Sequence, residues 1–341
     1  LLDAVVFFCK ANTSGTQNVG LGNYALDANT TADDNTGVGY AALGANTTGE
    51  KNTAVGKDSL LLNTTGTLNV AVGQAALDAN TTGSQNTACG EGALSENTTA
   101  NDNTAVGYHS LEVNTTGANN VAVGKDALLS NTTGYQNVAV GTNALDANTT
   151  AADNTAVGYN ALTSNVTGQN CTAIGSKALE DNTGSDNTGL GYNALANNTS
   201  ASNNTAIGKN ALTTNTTGTE NVAVGAIALT SNTTASYNTG IGRYALGNNT
   251  TGASNTGVGH NVLKENTTGA SNTAVGADAL DANTEGTLNT AVGRECLTAN
   301  TTGDKNSALG KGALGSNTTA SNNTAVGFDA LAANTTGATN M

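Results

Sequence analysis

The chain has 341 residues, 25 acidic against 11 basic, with 43 glycines, four cysteines and neither proline nor tryptophan. Only 11% of residues are charged and 3% aromatic, too little of either for an ordinary enzyme of this length. A net charge of −14 argues against nucleic acid, whose phosphates need clustered Lys and Arg.

The longest apolar run, Ala4 to Cys9, falls far short of the ~20 residues that span a bilayer. The opening segment Leu1-Leu2-Asp3-Ala4-Val5-Val6-Phe7-Phe8 is irregular, whereas Asn12-Thr13-Ser14-Gly15 already obeys the pattern that follows. Residues 1–17 are expected to be a degenerate cap or a segment docking on a neighbouring subunit. Without an initiator Met or a basic n-region they do not read as a complete secretory signal.

From residue 18 the chain is periodic. Asn recurs every seventeen residues from Asn18 to Asn154, Cys171 takes the next place, one unit is sixteen long, and the series resumes from Asn187 to Asn340. This gives nineteen repeats over 18–339, with 340–341 opening another. The unit is Asn-[Thr/Val]-[Ala/Gly]-[Val/Ile/Leu]-Gly-x-x-Ala-Leu-x-x-Asn-Thr-Thr-[Gly/Ala]-x-x. Column five is Gly and column nine Leu in all nineteen repeats. Every Lys and Arg, and every acid except Asp3 and Glu285, falls in columns 6, 7, 10, 11, 16 or 17. Ionised side chains are rarely buried unpaired, so these six columns face water and the other eleven are constrained.

The segment Asn52-Thr53-Ala54-Val55-Gly56 is short, β-branched and closed by glycine, which predicts a strand. Alternation puts Thr53 and Val55 on one face and Ala54 and Gly56 on the other. Glycines and Asn-Thr-Thr clusters interrupt the chain too often for helix. The fold class expected is all-β: a parallel β-solenoid or β-roll of seventeen-residue coils, each with two or three short strands and tight turns. A single coil cannot bury its own apolar side, so stability depends on stacking.

The Asn-Thr-Ala-Val-Gly units, as at Asn103 to Gly107 and Asn154 to Gly158, resemble the head repeats of trimeric autotransporter adhesins. They are also similar to repeats of phage tail-fibre and bacterial surface-fibre proteins. The resemblance covers residues 18–340 and implies a left-handed β-roll assembled as a trimer. The seventeen-residue unit is longer than the adhesin repeat, and no heptad stalk, anchor barrel or chaperone domain is visible.

Asn-x-Ser/Thr sequons stand at column twelve in eighteen of twenty copies: Asn12, Asn29, Asn46, Asn63, Asn80, Asn97, Asn114, Asn131, Asn148, Asn165, Asn198, Asn215, Asn232, Asn249, Asn266, Asn300, Asn317 and Asn334. One reading is a glycan on each turn. The other is an Asn ladder satisfying backbone groups at a turn. Column one favours the second, because Asn is equally regular there without forming a sequon. The paired threonines of columns thirteen and fourteen raise ice binding as a third reading, disfavoured because the alternating Thr-x-Thr pattern is missing.

Cys9, Cys89, Cys171 and Cys296 replace core-type residues several coils apart, too distant for intrachain disulfides, and are expected to be inert core residues. His109 and His260 sit almost nine coils apart in charged columns, which disfavours a dyad or a metal site. No Gly-Gly-x-Gly-x-Asp calcium signature occurs. Tyr40, Tyr108, Tyr159, Tyr192 and Phe328 share column six with lysines and arginines and could stack on sugar or cover a neighbouring chain.

These features lead to the expectation of a non-enzymatic, extracellular or virion-borne protein: the shaft of a fibre or adhesin, self-associating as a filament or homotrimer, with no cofactor and no membrane span in this segment. A glycan coat is left open. The alternatives are a carbohydrate-binding phage tail-fibre segment and, more remotely, an ice-binding solenoid.

Overall fold

The computed structural model describes residues 11–340. The chain divides into two units, residues 1–170 and 171–341. The first holds nine strands, β1 (Val19–Leu21) to β9 (Thr155–Val157), and the second ten, β10 (Thr172–Ile174) to β19 (Thr324–Val326). Every strand has three residues and occupies columns two to four of its repeat. Within each unit, consecutive strands pair in parallel at an offset of seventeen residues, as in Thr53↔Val70, Ala54↔Ala71 and Val55↔Val72, with sixteen between β10 and β11. The protein is therefore an all-β parallel β-solenoid, with no helix among the described residues.

One strand per coil replaces the two or three expected. The rest of the coil also bonds along the axis, but its backbone is kinked. Columns seven, nine and seventeen hold left-handed conformations in non-glycine residues, for example Asp58, Leu60 and Leu68 at φ 56°, 51° and 59°. Each costs about 1–2 kcal/mol and breaks the run of extended dihedrals that a strand needs. Axial hydrogen bonds hold these bends: Leu60 N–H donates to Ala76 at 2.9 Å, and Asp58 N–H to Tyr40 at 2.8 Å.

The glycine of column five marks the corner. Gly56 has φ +140°, and a Cβ there would lie 2.4 Å from the carbonyl oxygen of Gly73 in the next coil. Conformation and clearance both require glycine.

The core is narrow. From Leu26 to Leu314 the column-nine leucines are fully buried, and the alanines of columns three and eight in those repeats are buried with them; in the last repeat Leu331 is 37% exposed. Column three faces inward, and a Cβ on Gly37 would touch Leu26 of the preceding coil at 3.3 Å. Ala or Gly is therefore what fits between strand and leucine. Column four points the other way. Val55, Val72 and Val106 are 36%, 37% and 36% exposed, so these aliphatics lie on the surface and not in the core that column nine defines.

The sixteen-residue unit preserves strand register, with Thr172 opposite Thr188. Asn182 reaches the carbonyl of Gly184 two residues on, where other coils span three. The deletion is absorbed at the bend after column twelve.

Candidate functional surface

Two rows of buried asparagine run along each unit. In column one, the N–H of Asn52 donates to Oδ1 of Asn35 at 2.9 Å, and its own Nδ2 crosses the coil to the Gly66 carbonyl at 2.9 Å. In column twelve, Nδ2 of Asn63 donates to Oδ1 of Asn46 at 2.7 Å and to the Gly66 carbonyl at 3.0 Å. The same pattern recurs coil after coil, for example at Asn80 and Asn266. Buried amides left without partners would be costly. In column twelve the Nδ2 groups of Asn63, Asn80 and Asn266 each have two acceptors, whereas in column one Asn52 Nδ2 has one and Asn323 Nδ2, near the end of the described residues, has none.

This is where the structure places the sequon asparagines. Sixteen of the eighteen are fully buried; Asn12 is exposed and Asn334 half-buried, each near an end of the described residues. In the folded coil the interior nitrogens have no open side toward solvent. The geometry is that of the ladder reading, and a sugar on Nδ2 would displace a ladder bond.

The two threonines after each such asparagine differ. The column-thirteen hydroxyl donates to the column-thirteen carbonyl of the next coil, as from Thr47 to Thr64 at 3.0 Å and from Thr64 to Thr81 at 3.0 Å. The column-fourteen residue is exposed in each of the eighteen repeats that have one. In several coils its backbone N–H is engaged, as from Thr48 to Thr64 at 3.1 Å and from Thr65 to Thr81 at 3.2 Å.

The outward face of the strands carries columns two and four. Thr53, Val70, Thr87 and Thr104 form one row, and Val55, Val72, Cys89 and Val106 the other. Rows repeat about every 4.8 Å along the axis and stand roughly 6.7 Å apart across it. In the second unit Ile174, Leu190, Ile241 and Val275 continue the aliphatic type at 37–40% exposure. No charged residue occupies either column in the nineteen repeats. Sequence reading placed this pair on one face but did not identify it as the outer one.

Cys89 lies on this face and is exposed, which corrects the expectation that it is a core residue; column four simply points outward. Cys171 and Cys296 are buried free thiols. Burial raises the Cys171 thiol above its usual range and pushes that of Cys296 up to about 11. Of the cap or docking segment expected over residues 1–17, residues 1–10, Cys9 included, lie outside the described residues.

His109 stacks on Tyr108 with ring centroids 3.7 Å apart, and its Nδ1 is 3.2 Å from Glu112. It borders a shallow cavity of about 390 Å³ that is also lined by Asp78, Glu91 and Glu96. Among the described residues no group of three or more His, Cys, Asp or Glu is placed to hold a metal. The column-six aromatics Tyr40, Tyr108, Tyr159 and Tyr192 are 45–52% exposed. Cations from adjacent coils approach some of them, with Lys125 Nζ 5.9 Å from the Tyr108 ring and Lys209 Nζ 6.0 Å from that of Tyr192.

Acids in column ten sit partly under the neighbouring turns. Burial, the largest effect, raises the carboxyl of Asp78, with Asp58 and Glu96 adding repulsion. Burial likewise raises Asp146 and Asp281. In both, Oδ1 is buried without a hydrogen-bond partner.

No family model matches this chain, and no curated protein matches it. The class defined by fold and surface is a β-solenoid repeat protein, with an amide-laddered interior and one uncharged face of threonines and aliphatic side chains. No helix among the described residues is long and apolar enough to cross a membrane.

Proposed function

We propose that this chain is a non-enzymatic structural protein: the shaft of an extracellular fibre or adhesin, in which copies associate laterally through columns two and four. The observation that carries this reading is the uncharged Thr/Val face of a chain with net charge −14. On the turns of columns 6–11 and the bend of columns 16–17, like-charged copies repel, whereas the strand face offers aliphatic rows without that cost. Regular rows suit an identical partner, since one contact is repeated on every coil.

The test is sedimentation of the full chain beside Val72→Asp/Val106→Asp, with electron imaging of both. The reading expects concentration-dependent assemblies that the double substitution reduces to monomer while the circular dichroism stays unchanged. A chain that remains monomeric at every concentration, or a variant that assembles as before, would refute it.

A second reading, ice binding, draws on the same face. Although Thr-x-Thr is missing, Thr and Val at alternate outward positions form a regular array of hydroxyl and methyl groups. Thermal hysteresis that is lost in Thr87→Lys/Thr104→Lys would favour it; ordinary freezing behaviour would dismiss it.

A further inference from the structure

Column fourteen differs from every other exposed column. Column six accepts eleven residue types in nineteen repeats, and column seventeen nine. Column fourteen is Thr in sixteen, Ser in one and Glu in one, and is deleted in the short unit. Repeat duplication alone would have kept all the exposed columns alike. Folding does not account for the uniformity either. Thr65 and Thr82 are exposed, and their hydroxyls take part in no hydrogen bond among those of the described residues. Where column thirteen changes to Val166, and a bonded hydroxyl is lost, Thr167 is still threonine. A β-branched preference would admit Val or Ile, and neither occurs in this column.

Folding thus leaves this row unemployed, and a requirement outside the chain must hold it. Of the three polar groups in the Asn-Thr-Thr cluster, the Asn63 amide and the Thr64 hydroxyl are already bonded. The Thr65 hydroxyl alone is presented to solvent, about 4.8 Å from its counterparts on adjacent coils.

We propose that the column-fourteen hydroxyls are attachment sites for O-linked sugar, one row along each unit. In the transfer, threonine Oγ attacks the anomeric carbon of an activated sugar phosphate, nucleotide- or lipid-linked, supplied with its glycosyltransferase. A carbon–oxygen bond forms to Oγ as the bond to the phosphate breaks. The phosphate departs with the electron pair, and the hydroxyl proton passes to a base of the transferase. Because that hydroxyl is a donor to nothing in the fold, the sugar displaces no structural bond. The proposal deepens the extracellular reading, on which the meeting with a transferase rests; lateral packing is a separate matter, because these residues are not on the strand face.

The test is intact-mass measurement of the full chain from its native source, followed by fragmentation that keeps sugar bonds and locates them. The expected result is whole sugar increments on Oγ of residues such as Thr65, Thr82 and Thr99. Thr65→Val/Thr82→Val/Thr99→Val, made in the same source, should keep the wild-type dichroism and lose the increments at those three coils. A mass equal to the bare polypeptide, sugar confined to Asn Nδ2 or to column thirteen, or an unchanged glycan load in the triple variant would overturn it. Sedimentation reads the shaft proposal separately, so either can fail while the other stands.

Discussion

Asn52 and Asn63 donate to the same carbonyl oxygen, that of Gly66, at 2.9 and 3.0 Å. One amide comes from the start of the coil and the other from its far side, so this oxygen ties the loop closed across its interior. Each asparagine also bonds to the preceding coil, at Asn35 and Asn46 respectively. Closure of a coil and stacking on its neighbour are therefore parts of one network.

Replacing Asn63 by Ala removes two donated bonds and leaves the Asn46 oxygen without its donor in a buried site. The expected loss is about 2–4 kcal/mol, measured by denaturant unfolding. Hydrogen exchange should speed up first in the coils containing Asn46 and Asn80. Thr65→Val, two residues away, should change stability by less than about 0.5 kcal/mol. Equal effects at the two positions would contradict a structural role for Asn63 that Thr65 does not share.

Gly56→Ala forces a side chain into φ +140° and against the Gly73 carbonyl. A cost of at least about 1–3 kcal/mol is expected from the backbone alone, seen as a lower midpoint in thermal unfolding. A neutral substitution would mean that the corner can relax.

Much of the architecture is legible in the sequence. Period, coil stacking and the inward leucines follow from columns that never vary. The strand count is not, because residues such as Asp58 and Leu60 look compatible with extended chain and only the packed coil holds them in left-handed dihedrals. Nor is the outward sense of Val55 legible. Alternation says which residues share a face, and only Leu60 filling the interior decides which face is the inner one. The asparagines show the same gap. A sequon and a ladder use the same letters, and burial distinguishes them.

Thiol accessibility separates the cysteines. Peptide mapping after brief labelling of the folded chain should find Cys89 modified and Cys171 and Cys296 protected, since burial raises both buried thiols. If copies pack in register through the strand face, mild oxidation should also link Cys89 to Cys89 of a second copy. Cys89→Ser should abolish that product.

Stability should rise on mild acidification. Asp78, Asp146 and Asp281 have carboxyls raised in the folded state, chiefly by burial. Between the ordinary Asp value near 3.9 and each raised value, the native chain binds more protons than the unfolded one. Stability therefore falls as pH rises through that window. Relief of the −14 net charge acts in the same direction. The melting temperature should be higher at pH 5 than at pH 8, with a smaller difference in Asp146→Asn/Asp281→Asn. A melting temperature at pH 5 equal to or below that at pH 8 would refute this, since acids that are lowered in the folded state, such as Glu265, act below the ordinary Glu value and not in this interval.

The axial direction of the backbone bonds has a mechanical consequence. Traction applied to a unit along its axis loads the few bonds between two adjacent coils instead of shearing all of them together. When one coil peels away, about 4.8 Å of stacked height becomes roughly 55 Å of extended polypeptide, and the coil beneath keeps its own closure through its paired amides. Such a segment would lengthen stepwise under load, acting as a reel that lets out line in equal increments.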